Sequence, residues 1–311
     1  MARILVTGAA GFIGRALCRG LVERGHAVLG ITRHTAEPMA GVELRAIGDI
    51  GPRTDWSKAM AGVDIVVHLA NRAHRKRIDP PVVVEAQAAA NLARQAATAG
   101  VRRLVHMSSI RAMGEATRPG MPYRPGDAPQ PRDPYGRGKL AIELALSTAT
   151  PGSALGLVVL RPPLVYGPGV RANFRSLLRL VGSGVPLPFA DIDNRRSLIF
   201  IDNLAELTAV ACVHPAAAGQ VLLARDGVDL STPQLLRALG DGLGRPARLF
   251  AVPDATFRML RLLPGLGPLF ARLTLSLEVD DSATRDTLGW APRIAPDEAL
   301  ALTAAAFRRG R

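Results

Sequence analysis

Cysteine is scarce in this chain, and its scarcity excludes several classes of protein. The 311 residues include only Cys18 and Cys212. Two cysteines cannot build a disulfide framework or a cysteine-rich metal cluster. We therefore expect a protein of a reducing compartment, the cytoplasm, and no metal site.

Long hydrophobic runs are also missing. The apolar run at residues 4–6 is far too short for a signal peptide and leads directly into a glycine motif. The most apolar later segment, residues 257–277, is interrupted by Arg258, Arg261, Arg272 and two prolines, which excludes a spanning helix. We predict a helical lid or core helix there, with an amphipathic helix at a membrane surface as the alternative, and no integral membrane segment.

Lysine is a further scarcity. Only three lysines occur, so nearly all of the positive charge behind the formal net charge of +13 is arginine. Basic chains often bind nucleic acid, but these arginines are scattered, with one block at residues 72–77 and no interleaved aromatic residues. We therefore predict no nucleic-acid binding. An anionic small ligand such as a diphosphate needs only a few of these arginines.

The first half of the chain alternates short apolar runs with helical segments. Strands are predicted at residues 3–7, 27–32, 64–69, 104–108 and 157–160, and helices at residues 12–24 and 82–99. This alternation predicts an α/β fold with a Rossmann-type, doubly wound parallel sheet.

The composition changes after Arg161. Proline and glycine become frequent in residues 162–188, strands are predicted at residues 197–201 and 220–223, and the region after Ser231 reads as mostly helical. We predict two units. Residues 1–165 plus 196–225 form a dinucleotide-binding domain, and residues 166–195 plus 226–311 form a smaller, mostly helical C-terminal substrate lobe.

A glycine-rich loop joins the first predicted strand to the first predicted helix. Gly8 permits a tight turn, Gly11 lets the backbone approach a pyrophosphate, and Gly14 allows the helix to pack closely on the strand. The start of the helix, Phe12 and Ile13, offers free N–H groups and a favourable dipole to phosphates. Between a strand and a helix this pattern is far more specific than a lone glycine triplet, and it predicts NAD(P) binding by all five residues.

The end of the second predicted strand indicates which dinucleotide is bound. NAD enzymes commonly place an acid there for the ribose hydroxyls, whereas this chain has Thr32 and Arg33. This pair suits a 2′-phosphate, so NADP(H) is favoured and NAD(H) is the alternative, with Arg33 as a plain surface residue also open. Asp49 and Ile50 are predicted to contact the adenine, although Asp49 could serve only as a turn residue.

Tyr135 and Lys139 are four residues apart and therefore share one helix face. A free tyrosine has a pKa of about 10 and is a poor acid or base at neutral pH. A nearby ammonium favours the phenolate, and Lys139 can also hold the nicotinamide ribose. Ser109, just after the strand at residues 104–108, is placed to polarise a substrate carbonyl or alcohol. The constellation predicts hydride transfer coupled to proton transfer through Tyr135.

These motifs occur in the order of a known family. The chain resembles the extended short-chain dehydrogenase/reductases, in the NAD-dependent epimerase/dehydratase family that acts on nucleotide sugars. The matching segments are Thr7-Gly-Ala-Ala-Gly-Phe-Ile-Gly14, Gly48-Asp-Ile50, His68-Leu-Ala70, Ser108-Ser109, Pro134-Tyr-Gly-Arg-Gly-Lys139 and Arg161-Pro-Pro-Leu-Val-Tyr-Gly-Pro-Gly169.

The resemblance implies roles for individual residues. It makes Ser109, Tyr135 and Lys139 catalytic, and it places Leu69, Ala70, Pro162 and Val165 beside the cofactor. It also implies a homodimer.

For the substrate, the resemblance implies that Asn173 and Arg196 contact the diphosphate of a UDP-sugar, with Arg272 as a weaker candidate. An arginine fork suits a phosphate. The alternatives are that Asn173 is a helix cap and that Arg196 is a surface charge.

Departures from the family pattern narrow the chemistry. Gly138 replaces the usual serine of the Tyr-x-x-Ser-Lys motif, and Met113 replaces a substrate-facing tyrosine. Ile110 and Arg111 stand where a dehydratase has an acidic pair, which argues against 4,6-dehydration.

A bacterial polysaccharide-biosynthesis branch resembles residues 108–115, 173–180 and 193–197 more closely. The resemblance implies an NADPH-dependent 4-ketoreductase of a UDP-4-keto-6-deoxy-N-acetylhexosamine. A UDP-sugar 4-epimerase with tightly bound NAD is the alternative, and a non-catalytic NADP-sensing protein is a more remote one.

Overall fold

A parallel sheet forms the centre of the computed structural model, which describes residues 1–70, 82–262 and 267–310. The arginine-rich block at residues 72–77 lies outside these ranges. The described strands are β1 (Arg3–Thr7), β2 (Ala27–Thr32), β3 (Val42–Ala46), β4 (Ile65–His68), β5 (Arg103–Met107), β6 (Gly156–Arg161), β7 (Leu164–Tyr166), β8 (Leu198–Phe200) and β9 (Val221–Leu223). Seven of them pair in the order β3-β2-β1-β4-β5-β6-β9, all in parallel.

Helices cover the sheet and make up most of the second half. The described α-helices are α1 (Phe12–Glu23), α2 (Ser57–Met60), α3 (Val82–Thr98), α4 (Pro134–Ala149), α5 (Ala172–Ser183), α6 (Ile201–Val213), α7 (Thr232–Gly242), α8 (Asp254–Leu262), α9 (Gly267–Thr274), α10 (Ser282–Leu288) and α11 (Pro296–Arg309). In the described ranges, no helix combines the length and the apolar character needed to cross a membrane.

Both faces of the sheet are buried, because side chains alternate along each strand. Ile4 and Val6 of β1 pack in one hydrophobic cluster with α1 and α6, whereas Leu5 between them packs in another with α3 and α4. The predicted doubly wound parallel sheet is therefore confirmed. The helix predicted at residues 82–99 is α3, and the turn after it contains Gly100 with a positive φ.

The strand order reverses beside β1, which determines where a ligand can bind. Strands β2 and β3 lie on one side of β1, and β4, β5 and β6 lie on the other. In open parallel sheets, ligands bind outside the carboxyl ends of the strands at such a reversal. The register brings Thr7 of β1 opposite Ile31 and His68, so the residues that follow these three strands meet at one edge.

Strand β8 does not join the main sheet. It pairs in parallel with β7 in a separate two-stranded sheet, and only β9 from the region 196–225 returns to the main sheet. The buried Asp226 carboxylate anchors this small sheet by accepting the Tyr166 hydroxyl at 2.8 Å, the Phe200 N–H at 2.9 Å and the Asn203 side-chain amide at 2.8 Å. The division into two units stays a prediction.

Candidate active site

The glycine loop has the close packing that its sequence predicts. A Cβ added at Gly14 would lie 2.3 Å from the carbonyl oxygen of Gly8 and 2.7 Å from that of Ala9, so only glycine fits there. Gly8 itself has φ +72°, in the left-handed region. Gly11 is the N-cap of α1 and supplies no side-chain cap, so the first N–H groups of α1 point at the loop without a competing acceptor from the cap. This cradle fits a dinucleotide pyrophosphate, with Phe12 and Ile13 in the first turn.

Thr7 connects the glycine loop to the end of β4. Its hydroxyl oxygen accepts the N–H of Leu69 at 3.2 Å and of Ala70 at 3.1 Å, and it lies 2.9 Å from Nδ1 of His68. The two predicted cofactor residues Leu69 and Ala70 are thus held beside Gly8. Burial, helped by the charge of Lys139, lowers the pKa of His68 to about 3, so this imidazole is neutral near pH 7.

Arg33 and Asp49 form an ion pair at the end of β2. Arg33 Nε lies 2.8 Å from Asp49 Oδ1, and both side chains are exposed. Thr32 before them is buried, and its hydroxyl lies 3.5 Å from the carbonyl of Arg45 in β3. The sequence assigned Arg33 and Asp49 to different parts of the cofactor, whereas the structure joins them. The ion pair uses Nε of Arg33, and Ile50 follows Asp49 in the chain.

Lys139 is buried under the catalytic edge of the sheet. Its Nζ donates to the carbonyl oxygen of Met107, the last residue of β5, at 2.7 Å. Desolvation lowers the pKa of Lys139 to about 8, although Glu85 and Glu143 counteract it. The helix α4 therefore carries an ammonium whose charge is sensitive to pH near neutrality.

Glu143, one turn beyond Lys139, lies in a buried polar network. It forms an ion pair with Arg161 at the end of β6, with Nη2 2.5 Å from Oε2, and it accepts a hydrogen bond from the Ser108 hydroxyl. All three side chains are buried. The network ties α4 to the ends of β5 and β6, so it fixes the depth at which Lys139 enters the site.

Tyr135 and Ser109 face each other across the start of α4. Burial raises the pKa of the Tyr135 phenol, while a hydrogen bond with the Ser109 side chain lowers it. Ser109 is nearly buried, and its hydroxyl oxygen accepts the N–H of Arg111 at 3.2 Å. The bond that lowers the Tyr135 pKa is one that the Ser109 hydroxyl donates, so its single proton is directed at Tyr135 until another acceptor takes that place. Tyr135 keeps 39% of its surface exposed, so part of the side chain borders solvent although its phenol is desolvated.

The loop after β6 lies against the segment that follows Ser109. The N–H of Ile110 donates to the carbonyl of Pro162 at 2.9 Å, which places this loop against the segment that follows Ser109. Pro162 is buried, and Val165 lies half-buried in β7. These positions agree with a cofactor-lining role, which stays a prediction.

Arginines converge on the substrate side. Burial, together with the charges of Arg111 and Arg272, lowers the pKa of Arg196 to about 10, so three guanidinium groups raise the electrostatic potential of one region. Arg196 is held in place, because its Nη1 donates to the carbonyl of Leu275 at 2.9 Å. The surface-charge interpretation of Arg196 is therefore wrong.

Asn173 is less well placed than the sequence implied. It is exposed at the second residue of α5, and the described residues give it no contact with Arg196 or Arg272. The N-cap of α5 is Arg171, so the helix-cap interpretation of Asn173 is wrong.

Sequence reasoning missed several residues that shape this site. Asp133 is the N-cap of α4 and pairs with Arg111, and Glu143 pairs with Arg161. The signal for Asp133 was present, because an acid followed by proline is a typical helix start. No local pattern reveals the Glu143–Arg161 pair, since its partners are joined only by the pairing of α4 with the sheet.

Comparisons with known proteins show which family this chain resembles. Residues 4–223 match the NAD dependent epimerase/dehydratase family. The UDP-glucose 4-epimerase of Vibrio cholerae is 39% identical over 312 residues, which covers 98% of this chain and 95% of that protein. The 2-alkyl-3-oxoalkanoate reductase of Stenotrophomonas maltophilia is 30% identical over 331 residues, with 96% and 97% covered.

Solved structures share the fold. A UDP-glucuronic acid 4-epimerase from Bacillus cereus in complex with NAD superposes with a TM-score of 0.79 at 22% sequence identity, covering 99% of each chain. At this identity the likeness concerns the fold alone.

Proposed function

We propose, from the premise that the chain belongs to the NAD dependent epimerase/dehydratase family, that it transfers hydride at C4 of a UDP-sugar. The specific reaction we propose is the NADPH-dependent reduction of a UDP-4-keto-6-deoxy-N-acetylhexosamine. The observation that carries the proposal is the meeting of Ser109, Tyr135 and Lys139 at the same strand edge as the glycine loop.

The residues at the edge fit a dinucleotide. Gly8, Gly11 and Gly14 leave a cradle that a Cβ would fill, and Leu69 and Ala70 lie across from it. When bound, the nicotinamide supplies the hydride for the substrate carbon. Lys139 is positioned to hold the ribose that carries it.

Proton transfer falls to this chain's own side chains. Tyr135 donates its hydroxyl proton to the C4 carbonyl oxygen as that carbon gains the hydride, so the ketone becomes an alcohol and a phenolate remains. Ser109 donates a hydrogen bond to the same oxygen and stabilises the charge that develops there. The Lys139 ammonium stabilises the phenolate until solvent returns the proton.

Arg33 supports NADPH rather than NADH. Strand β2 is followed by Arg33 and not by the acid common in NAD enzymes, and Arg33 can bind a 2′-phosphate when that phosphate replaces Asp49 as its partner. On the substrate side, Arg196 and Arg272 supply the positive charge that a diphosphate requires.

A second candidate, a UDP-sugar 4-epimerase, is supported by the 39% identity to a UDP-glucose 4-epimerase. An epimerase needs the same three side chains but keeps its NAD bound and returns the hydride to the other face of the ketone. The reduction therefore oxidises one NADPH for each sugar, whereas the epimerisation consumes no cofactor.

The deciding experiment compares both reactions on one preparation. The purified protein is incubated with UDP-4-keto-6-deoxy-N-acetylhexosamine or UDP-glucose, each with NADPH and with NADH. The reductase proposal requires NADPH oxidation equimolar with the keto sugar. Conversion of UDP-glucose to UDP-galactose with cofactor that does not exchange would reject it in favour of the epimerase.

A further inference from the structure

An ionic contact that the proposed reaction does not use ties the catalytic loop to the catalytic helix. Arg111 follows Ser109 by two residues, Tyr135 follows Asp133 by two, and Arg111 and Asp133 form an ion pair. Asp133 uses one carboxylate oxygen, Oδ1, to accept the N–H of Gly136 as the N-cap of α4, and the other, Oδ2, to bind Arg111. One carboxylate thus connects the loop that carries Ser109 to the first turn that carries Tyr135.

The backbones of the same two segments touch at Gly136. A Cβ added there would lie 2.2 Å from the carbonyl oxygen of Arg111 and 3.0 Å from Oδ1 of Asp133. Two residues later on the same helix, the one described residue that a Cβ at Gly138 would meet is Val82, at 3.5 Å, which is an ordinary contact. The close approach is therefore specific to the turn that faces the Ser109 loop.

The charge balance shows what Arg111 can do. Its Nη2 contacts Asp133 and also Glu115, at 3.0 Å from Oε1, so two carboxylates surround one guanidinium. Arg196 differs, because the acceptor of its Nη1 is the Leu275 carbonyl, which carries no formal charge. The Nη2 group of Arg111 is therefore committed to two carboxylates, which suits it to hold a loop.

We infer that Arg111 and Asp133 are positioning residues whose ion pair sets the Ser109 hydroxyl at hydrogen-bonding distance from Tyr135. The inference rests on the proposed function, which gives Ser109 and Tyr135 their chemical work. Misplacing such groups by about 1 Å costs on the order of a hundredfold in rate.

If Arg111 and Asp133 acted on Tyr135 only through their charges, their variants would behave differently from variants that misplace Ser109. Among the groups around Tyr135, Ser109 and Arg111 lower its pKa, whereas Asp133 and Glu85 raise it. By charge alone, Arg111→Gln raises the pKa of Tyr135 and Asp133→Asn lowers it. By positioning, both variants weaken the Ser109 bond and both lower kcat.

The kinetic test uses Arg111→Gln, Asp133→Asn, their double variant and Glu115→Gln. Asparagine is as good an N-cap as aspartate, so Asp133→Asn removes the ion pair and keeps the cap. We expect kcat to fall about 10- to 100-fold in each single variant, no further fall in the double variant, and KM values close to wild type. Glu115→Gln, which removes the more exposed partner, should keep wild-type kcat.

A matched glycine pair tests the backbone contact. Gly136→Ala should lower kcat as the ion-pair variants do, because its Cβ would push against the Arg111 carbonyl. Gly138→Ala on the same helix should leave kcat unchanged. Thermal melts of every variant separate misplacement from unfolding.

A spectroscopic readout makes the inference testable without turnover. The chain has three tyrosines, so ultraviolet phenolate titration of wild type minus Tyr135→Phe isolates Tyr135. We expect Arg111→Gln to move this titration to higher pH and Asp133→Asn not to move it to lower pH, because the Ser109 bond is lost in both. If the titrations behave as expected but the wild type has no activity on the keto sugar, the proposed function is rejected and the positioning role of Arg111 and Asp133 is not.

Two results would overturn the inference. One is that Asp133→Asn moves the Tyr135 titration to lower pH and leaves kcat unchanged, which would show that Asp133 acts on Tyr135 by its charge and not by positioning Ser109. The other is a raised KM for the nucleotide sugar with unchanged kcat in Arg111→Gln, which would make Arg111 a binding residue.

Discussion

At the scale of one residue, the buried charge of Lys139 lowers the stability of the folded protein. Its ammonium is buried, and its pKa in the folded protein, about 8, lies below the ordinary value of 10.5. Below pH 8 both the folded and the unfolded chain hold this proton, and the folded chain bears the full cost of the buried charge. As the pH rises from about 8 to about 10.5 the unfolded chain binds more protons at this site, so the contribution of Lys139 to stability improves.

Lys139→Met should therefore separate stability from activity. We expect the variant to lose at least about a hundredfold in kcat, because the phenolate loses its counter-charge. At pH 7 it should be more stable than wild type, and the difference should shrink as the pH rises through about 8. Urea unfolding at a series of pH values measures this, and a stability difference that grows with pH would contradict it.

Arg33 carries the prediction about cofactor choice. Charge-assisted hydrogen bonds to a phosphate are worth about 1.5–3 kcal/mol, so Arg33→Ala should raise KM for NADPH about 10- to 100-fold. KM for NADH should change little. The control is Arg19→Ala, which removes an exposed arginine of α1 that pairs with Asp202 of α6. This variant should change neither the KM for NADPH nor the KM for NADH. Equal effects on both cofactors in Arg33→Ala would remove the basis for preferring NADPH.

At the scale of one element, α1 contains two glycines with opposite roles. Gly14→Ala would place a methyl group against the Gly8 carbonyl, so we expect a destabilisation of about 1–3 kcal/mol and weakened cofactor binding. At Gly20 the nearest atom to an added Cβ is the end of the Arg24 side chain, at 3.4 Å. Gly20→Ala should therefore stabilise the helix by about 0.5–1 kcal/mol. Thermal melts with and without NADPH compare the two, and similar behaviour would contradict the packing argument.

Elements with a strong local pattern were predictable from the sequence. The strands around Val6, Val67 and Val105 are fully buried, so their apolar runs stand out. Strand β3 was missed because it lies at the sheet edge and mixes Glu43 and Arg45 with apolar residues.

The partners of the strands and helices were harder to predict from the sequence than the strands and helices themselves. The strand predicted at residues 197–201 exists as β8, but its partner is β7 and not the main sheet. A three-residue strand gives no sequence signal for its partner. In the same way, the motif order predicted Ser109, Tyr135 and Lys139 together, whereas the Arg111–Asp133 pair depends on tertiary contact alone.

At the scale of the whole molecule, the predicted homodimer has a candidate surface. Helices α3 and α4 pack on each other, and they expose Val83 and Leu144 at 61% and 57%. We expect sedimentation to show a dimer that Leu144→Glu dissociates. Leu302→Glu places the same charge on an exposed leucine of α11 and should leave the dimer intact. A wild-type monomer, or a dimer unaffected by Leu144→Glu, would contradict this prediction.

We propose that hydride passes from NADPH to C4 of a UDP-4-keto sugar in this site while Tyr135 supplies the proton. The most direct test is incubation of the enzyme with the 4-keto sugar and NADPH that carries deuterium at the transferred position, followed by mass spectrometry of the sugar. We expect one deuterium at C4 of the reduced sugar for each NADP+ formed, and loss of this transfer in Tyr135→Phe. A bound cofactor with no deuterium in the sugar, or full transfer by Tyr135→Phe, would contradict it.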